Sequence, residues 1–196
     1  MKKNLIALHK RFFIALTMAT ALTGCTTVLE ATHDGPIQQD PGKRSLGTYM
    51  DDQKIETVTT VNINKAHPDL KAANINVNAF NGVVLLTGQV GNNDLRLLAG
   101  RTAQQVKYVR QVYNEIQVRG KVSFLASSSD AWLTTKVKST LVTNDEIDSS
   151  RIKVVTENGV VYLMGLLTRA EAERAADVTR SIGGVQKVVK AVEYVN

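Results

Sequence analysis

Hydrophobic positions along this chain fall into two cycles of one pattern. Ile75, Val77 and Ala79 alternate with other residues up to Asn81-Gly82, after which come the apolar run Val83–Leu86 and a closing Gly88. The same succession returns as Ile152, Val154, Asn158-Gly159, Val160–Met164 and Gly165, displaced by 77 residues throughout. Alternation with period two predicts a half-buried strand. Asn-Gly predicts a tight hairpin, because both central residues of a type I′ turn need positive φ. Beyond each hairpin the spacing turns helical: Leu95, Leu98, Ala99, Thr102, Val106 and Val109 in the first cycle, Ala172, Ala175, Ala176, Thr179 and Ile182 in the second. Thr168 with Glu171 three residues on predicts a capping box. A last strand follows each helix, Tyr108–Val118 matching Gly184–Tyr194.

Each cycle is preceded by one more helix. In the second, Ser129 or Asp130 is the expected cap of Ala131–Thr143, and Leu133, Val137 and Leu141 form one apolar stripe for the sheet. The corresponding Lys54–Ala66 reads as a poorer helix, rich in β-branched residues and Asn and bounded by Pro68. The fold class expected is α+β: two tandem αββαβ domains, each a small three-stranded mixed sheet packed on two helices. Their expected limits are residues 51–119 and 129–196, with a linker at 120–128.

Ahead of the repeats, Lys2, Lys3, Lys10 and Arg11 precede the apolar run Phe12–Leu22, a pattern that predicts a signal peptide over residues 1–24. The run ends in Leu22-Thr23-Gly24-Cys25, which resembles the bacterial lipobox. That resemblance implies a mature chain acylated at Cys25, an anchor well beyond the marginal hold of one acyl chain. Thr26, where an Asp would favour inner-membrane retention, leans the expectation toward the outer membrane. Residues 25–50, with Gly35-Pro36, Asp40 and Pro41-Gly42 and no sustained apolar period, read as the lipidated N-terminus and a tether.

Charge changes the picture less than it first promises. The net +6 contains four signal-peptide cations, and the rest carries 20 basic against 18 acidic side chains, or +2. No nucleic-acid partner is expected from so balanced a chain.

Strand–Asn-Gly–strand with a closing Gly, an amphipathic helix, then Val109-x-x-Val112-x-Asn114-x-Ile116 resembles the BON domain. Two such units behind a lipobox, with Arg44-Ser45-x-Gly47-Thr48 and Asp51-Asp52 before the first, resemble the family's dual-domain outer-membrane lipoproteins. The resemblance spans residues 44–196 and is closest over Asp130–Leu167. It implies a periplasmic location and a role in outer-membrane integrity through anionic phospholipid (phosphatidylglycerol, cardiolipin) bound by the second domain. It implies no enzyme.

Beside the core stripe of Ala131–Thr143, helical spacing places Trp132, Thr135, Lys136, Ser139 and Val142 on a neighbouring face, with Lys138 close by. An indole that the core does not need suits the headgroup level of a bilayer, and Lys136 and Lys138 suit an anionic surface. The residues alone leave a second reading open, in which Trp132 packs under the linker or against the first unit. The resemblance favours lipid, because Trp132 matches the tryptophan of the family's phospholipid-contacting helix. The first unit then reads as scaffold or protein-contact module.

Catalytic chemistry finds no footing. His67 precedes Pro68 in an expected turn, and no metalloprotease, nucleophile-elbow, phosphate-loop or paired-cysteine pattern occurs. Asp145, Glu146 and Asp148 lack the glycine and glutamate of an EF-hand loop. No cofactor is expected. The alternative function is a periplasmic adaptor for an envelope or peptidoglycan-remodelling protein, and a third is a general periplasmic stress protein or holdase.

Overall fold

The computed structural model describes Asp40, residues 42–119 and residues 125–195. The expected signal peptide, Cys25 and most of the tether lie outside the described residues. Three helices and four strands form the first unit: α1 (Leu46–Ala66), α2 (Pro68–Ala72), β1 (Asn74–Phe80), β2 (Val83–Val90), α3 (Asn93–Gln104), β3 (Gln111–Asn114) and β4 (Gln117–Val118). The second holds α4 (Leu125–Val142), a 3-10 turn (Ser149–Arg151), β5 (Ile152–Glu157), β6 (Val160–Leu167), α5 (Arg169–Arg180) and β7 (Lys187–Tyr194).

Both Asn-Gly pairs form the expected hairpins, with positive φ at Asn81, Gly82, Asn158 and Gly159. β1 pairs antiparallel with β2, and β5 with β6. The chain returns through α3 or α5 to lay its last strand parallel to the central one. In the first unit that last strand is broken at Glu115–Ile116 into β3 and β4, both paired to β2. Asn92 caps α3, and Thr168 with Glu171 completes the capping box of α5.

The central strands β2 and β6 read as nearly unbroken apolar runs because both of their faces are covered. Val84 and Leu86 face α1 and α3 together with Ile55, Ile63, Leu95 and Ala99. Val161 and Leu163 face α4 and α5 with Leu133, Val137, Leu141 and Ala175. The alternate residues Val83 and Leu85, with Phe80, meet Tyr162, Met164, Leu166 and Ala191 across the molecule. The order of layers is therefore helices, sheet, sheet, helices. All of these cores lie within Asp40–Asn196, a compact unit in itself.

The two units pack head to tail. Glu157, before the second hairpin, accepts from Asn76 (3.0 Å) and Gln89 (2.9 Å), at the far end of the first sheet. At the other end Glu193 accepts from Asn81 (2.9 Å) and from Arg110 (3.0 Å). The Arg110 guanidinium holds the Glu193 carboxyl below the usual carboxylate range.

Three expectations need correction. α1 begins at Leu46, inside the stretch read as tether, because Ser45 caps it by accepting from Thr48 N (3.1 Å). It is also a full helix despite its β-branched residues: burial of Ile55, Thr59 and Ile63 outweighs propensity. α4 begins at Leu125, inside the expected linker, so neither Ser129 nor Asp130 caps it. The Asp130 carboxylate instead accepts from Asn158 N (2.6 Å) and Gly159 N (2.9 Å). Asp52 does the same in the first unit, from Asn81 N (2.8 Å) and Gly82 N (2.9 Å).

Residues before α1 strap the units together. Asp40 accepts from Arg151 Nη2 at 2.6 and 2.7 Å, and Gly42 lies where a Cβ would come within 2.6 Å of the Arg151 guanidinium carbon. Arg151 also donates to Glu171 (3.2 Å). Its hydrogen bond holds the Asp40 carboxyl below the usual range, so the strap's ion pair is intact at neutral pH and is lost only as pH falls through that lowered value. Arg44 donates to Asp52 (2.7 Å) with its guanidinium 3.8 Å above the Phe80 ring.

Candidate functional site on the outer face of the second unit

Burial of Leu133, Val137 and Leu141 turns the opposite side of α4 outward. Trp132 is 60% exposed and Val142 68%, so the indole is neither part of the core nor packed against the first unit. Thr135, Lys138 and Ser139 are exposed between them, and Lys136 is half-buried. At 100° per residue Lys136 and Lys138 fall on opposite margins of this face. The structure thus brings Trp132, Thr135, Lys136, Lys138, Ser139 and Val142 onto one surface.

Not all of them are equally free. Lys136 Nζ lies 5.0 Å from the Trp132 ring centre and donates to Gly183 O (3.1 Å), holding indole, helix and the loop after α5 together. The Thr135 hydroxyl donates to Ala131 O (3.0 Å). Lys136 and Thr135 therefore shape the surface, while Trp132, Lys138, Ser139 and Val142 present it.

Beside Trp132 lies a depression of about 290 Å³, lined also by Ser129, Asp130, Leu133, Asn158, Gly159, Gly184 and Gln186. It is open because Gly184, at φ +105°, carries no side chain there. The first unit puts Tyr108 at the corresponding position, at φ +70° and 66% exposed, with Lys107 Nζ 4.7 Å from its ring centre. A left-handed conformation is costly for a tyrosine. Tyr108→Gly is expected to raise stability by about 0.5–1 kcal/mol, the relief of strain exceeding the entropy cost of glycine. Urea unfolding of the two proteins side by side checks this.

Sequence reasoning missed the Asp52 and Asp130 clamps. The signal was present: an aspartate 29 and 28 residues ahead of each Asn-Gly. The matching face of α1 has no aromatic corresponding to Trp132, but Leu46, Met50, Val58 and Val61 are exposed there. His67 caps α2, its Nδ1 accepting from Asp69 N (3.1 Å). Asp148 joins Arg151 and Lys43 in ion pairs. Among the described residues no three His, Cys, Asp or Glu side chains converge as a metal site, and no helix is long and apolar enough to cross a membrane.

The pattern of the BON domain matches residues 51–120 and again 129–196. The chain is 35% identical to the outer membrane lipoprotein DolP of Haemophilus influenzae, over 95% of this chain and 97% of that one. It is 40% identical to a 21 kDa hemolysin of Actinobacillus pleuropneumoniae, over 83% and 82% of the two chains. To the osmotically-inducible protein Y of Escherichia coli it is 28% identical, over 95% and 92%.

Proposed function

The chain belongs to the BON family, as an envelope-associated member with two BON domains, and from that premise we propose that it is anchored through acylated Cys25 to the periplasmic face of the outer membrane, where its second domain binds anionic phospholipid and so maintains membrane integrity. The observation that carries the reading is Trp132. A tryptophan left 60% exposed has no role in either core, yet Lys136 steadies its ring. Exposed indole, with exposed Val142 further along the same helix and Lys138 on the margin, matches the apolar and anionic layers of a bilayer surface. The outer-membrane lipoprotein among the relatives supports the location.

Co-sedimentation of Asp40–Asn196 with phosphatidylglycerol or cardiolipin vesicles, against phosphatidylcholine, tests it. The parent is expected to bind the anionic vesicles selectively. Trp132→Ala is expected to weaken that binding by about tenfold, on the order of 1.4 kcal/mol. Equal, weak binding of parent and variant to every vesicle would sink the reading. The exposed aliphatic residues of α1 favour a second reading, an adaptor docking an envelope protein through the first domain. A protein crosslink from Val61 that survives Trp132→Ala would support it.

A further inference from the structure

Lys187 and Val160 open the strands β7 and β6, one residue beyond Gln186 and Gly159 of the depression beside Trp132. On the other side of these two strands, in the seam between the units, lies a cleft of about 440 Å³. Head-to-tail packing brings the far end of the first unit to it, so Arg96, Glu115, Gln117 and Arg119 face Lys187 and Tyr162 there.

The cleft is cationic. Arg96, Arg119 and Lys187 line it with one carboxylate, Glu115. The nearby Glu157 is taken up by the amides of Asn76 and Gln89. In the cleft's walls two buried polar atoms, Arg96 Nε and Gln117 Oε1, lack a partner among the described residues. Arg96 Nη2 is spent on Asn114 O (3.0 Å), which holds the guanidinium in place. Unpaired buried polar atoms are rare and call for a missing partner. Guanidinium and ammonium donors suit a phosphate, and an unmet amide oxygen suits a hydroxyl beside it.

Trp132 and this cleft lie at one end of the second unit, linked through the neighbouring pairs Gly159–Val160 and Gln186–Lys187. Val142, ten residues along α4, is about 15 Å from Trp132 toward the other end. We propose that the seam is a second subsite for the phosphate of an anionic lipid headgroup, and that the protein meets the membrane end-on. Trp132 inserts while Arg119 and Lys187, backed by Arg96, hold a neighbouring headgroup. The first domain thereby contributes to lipid reading instead of serving as scaffold alone. This rests on the phospholipid reading above.

The test is vesicle binding by Asp40–Asn196, with thermal unfolding as a check that each variant folds. Arg119→Gln/Lys187→Gln is expected to weaken binding to phosphatidylglycerol vesicles about 25-fold, roughly fivefold for each cation near an anionic surface. Lys54→Gln/Lys107→Gln, the same charge change at the Asn81-Gly82 end, is expected to cost less than about threefold. Equal losses in the two charge pairs would overturn the seam subsite and leave the Trp132 reading standing. Failure of the parent to bind phosphatidylglycerol would remove the phospholipid reading, and this inference with it. In a further arm, millimolar glycerol 1-phosphate is titrated while the amide signals of Glu115–Arg119 are followed by NMR. Shifts with the soluble phosphate but none with short-chain phosphatidylglycerol would assign the cleft to free phosphate and overturn the lipid assignment. Shifts with the lipid that vanish in Arg119→Gln/Lys187→Gln would support it.

Discussion

Gly88→Ala is expected to destabilise the protein by about 4 kcal/mol, enough to unfold the first unit of a marginally stable chain. Gly88 sits in the last part of β2, paired to Ile75, at φ +115°. An L side chain is strained there wherever it points. Space makes matters worse: an added Cβ would lie 1.9 Å from Asn74 O and 2.9 Å from its carbonyl carbon. Both atoms are backbone, so no rotamer change relieves the clash and β1 must part from β2. Because β2 is covered by helices on one face and the second sheet on the other, a displaced β2 disturbs both cores. Urea unfolding followed by tryptophan fluorescence and by circular dichroism separates the consequences. The indole lies in the second unit, so loss of first-unit structure shows as an early circular-dichroism change that fluorescence does not share. A single unfolding transition within 1 kcal/mol of the parent's would refute the steric argument.

Asp52→Ala ranks next, with an expected loss of about 3 kcal/mol. Asp52 is 1% exposed and accepts from Asn81 N, Gly82 N and Arg44. Removing the carboxylate leaves two turn N–H groups and a guanidinium of limited exposure without their acceptor. The second-unit counterpart gives an internal comparison. Asp130 holds the same two turn amides but is partly exposed, and among the described residues its clamp joins no arginine. Asp130→Ala is expected to cost about half as much, since water can replace part of what is lost. Chemical denaturation of both variants decides the matter; equal costs would mean that the Arg44 strap adds nothing to the first clamp.

The same pair of aspartates shows how far the sequence could be read. Each hairpin was legible from Asn-Gly between an alternating segment and an apolar run, because turn geometry is a local property of two residues. What holds each turn in place was not, because the carboxylate comes from a helix 28 or 29 residues earlier. Thr168 and Glu171 announced their capping box at a spacing of three. Asp130, just ahead of the stripe Leu133, Val137 and Leu141, looked like a cap and turned out to serve another element.

The candidate surface divides in the same way. Helical periodicity by itself separated Leu133, Val137 and Leu141 from Trp132, Ser139 and Val142, since a helix fixes which side chains share a face. Whether Trp132 was covered depended on where the first unit packs, and only the sheet-to-sheet interface of Phe80, Val83 and Leu85 with Tyr162, Met164 and Leu166 settled that. The seam cleft was beyond any local pattern. Arg96, Arg119 and Lys187 come from three separated stretches, and nothing in their spacing brings them together.

By itself, then, the sequence determined the duplicated αββαβ units, their hairpins, the capping box of α5 and the outward face of α4, all set by periodicity and turn chemistry over a few residues. Tertiary structure decided that α1 is a full helix, that the two sheets stack with their helices outermost, and that the units run head to tail. These outcomes depend on burial shared between distant segments, a quantity that no window of the chain contains.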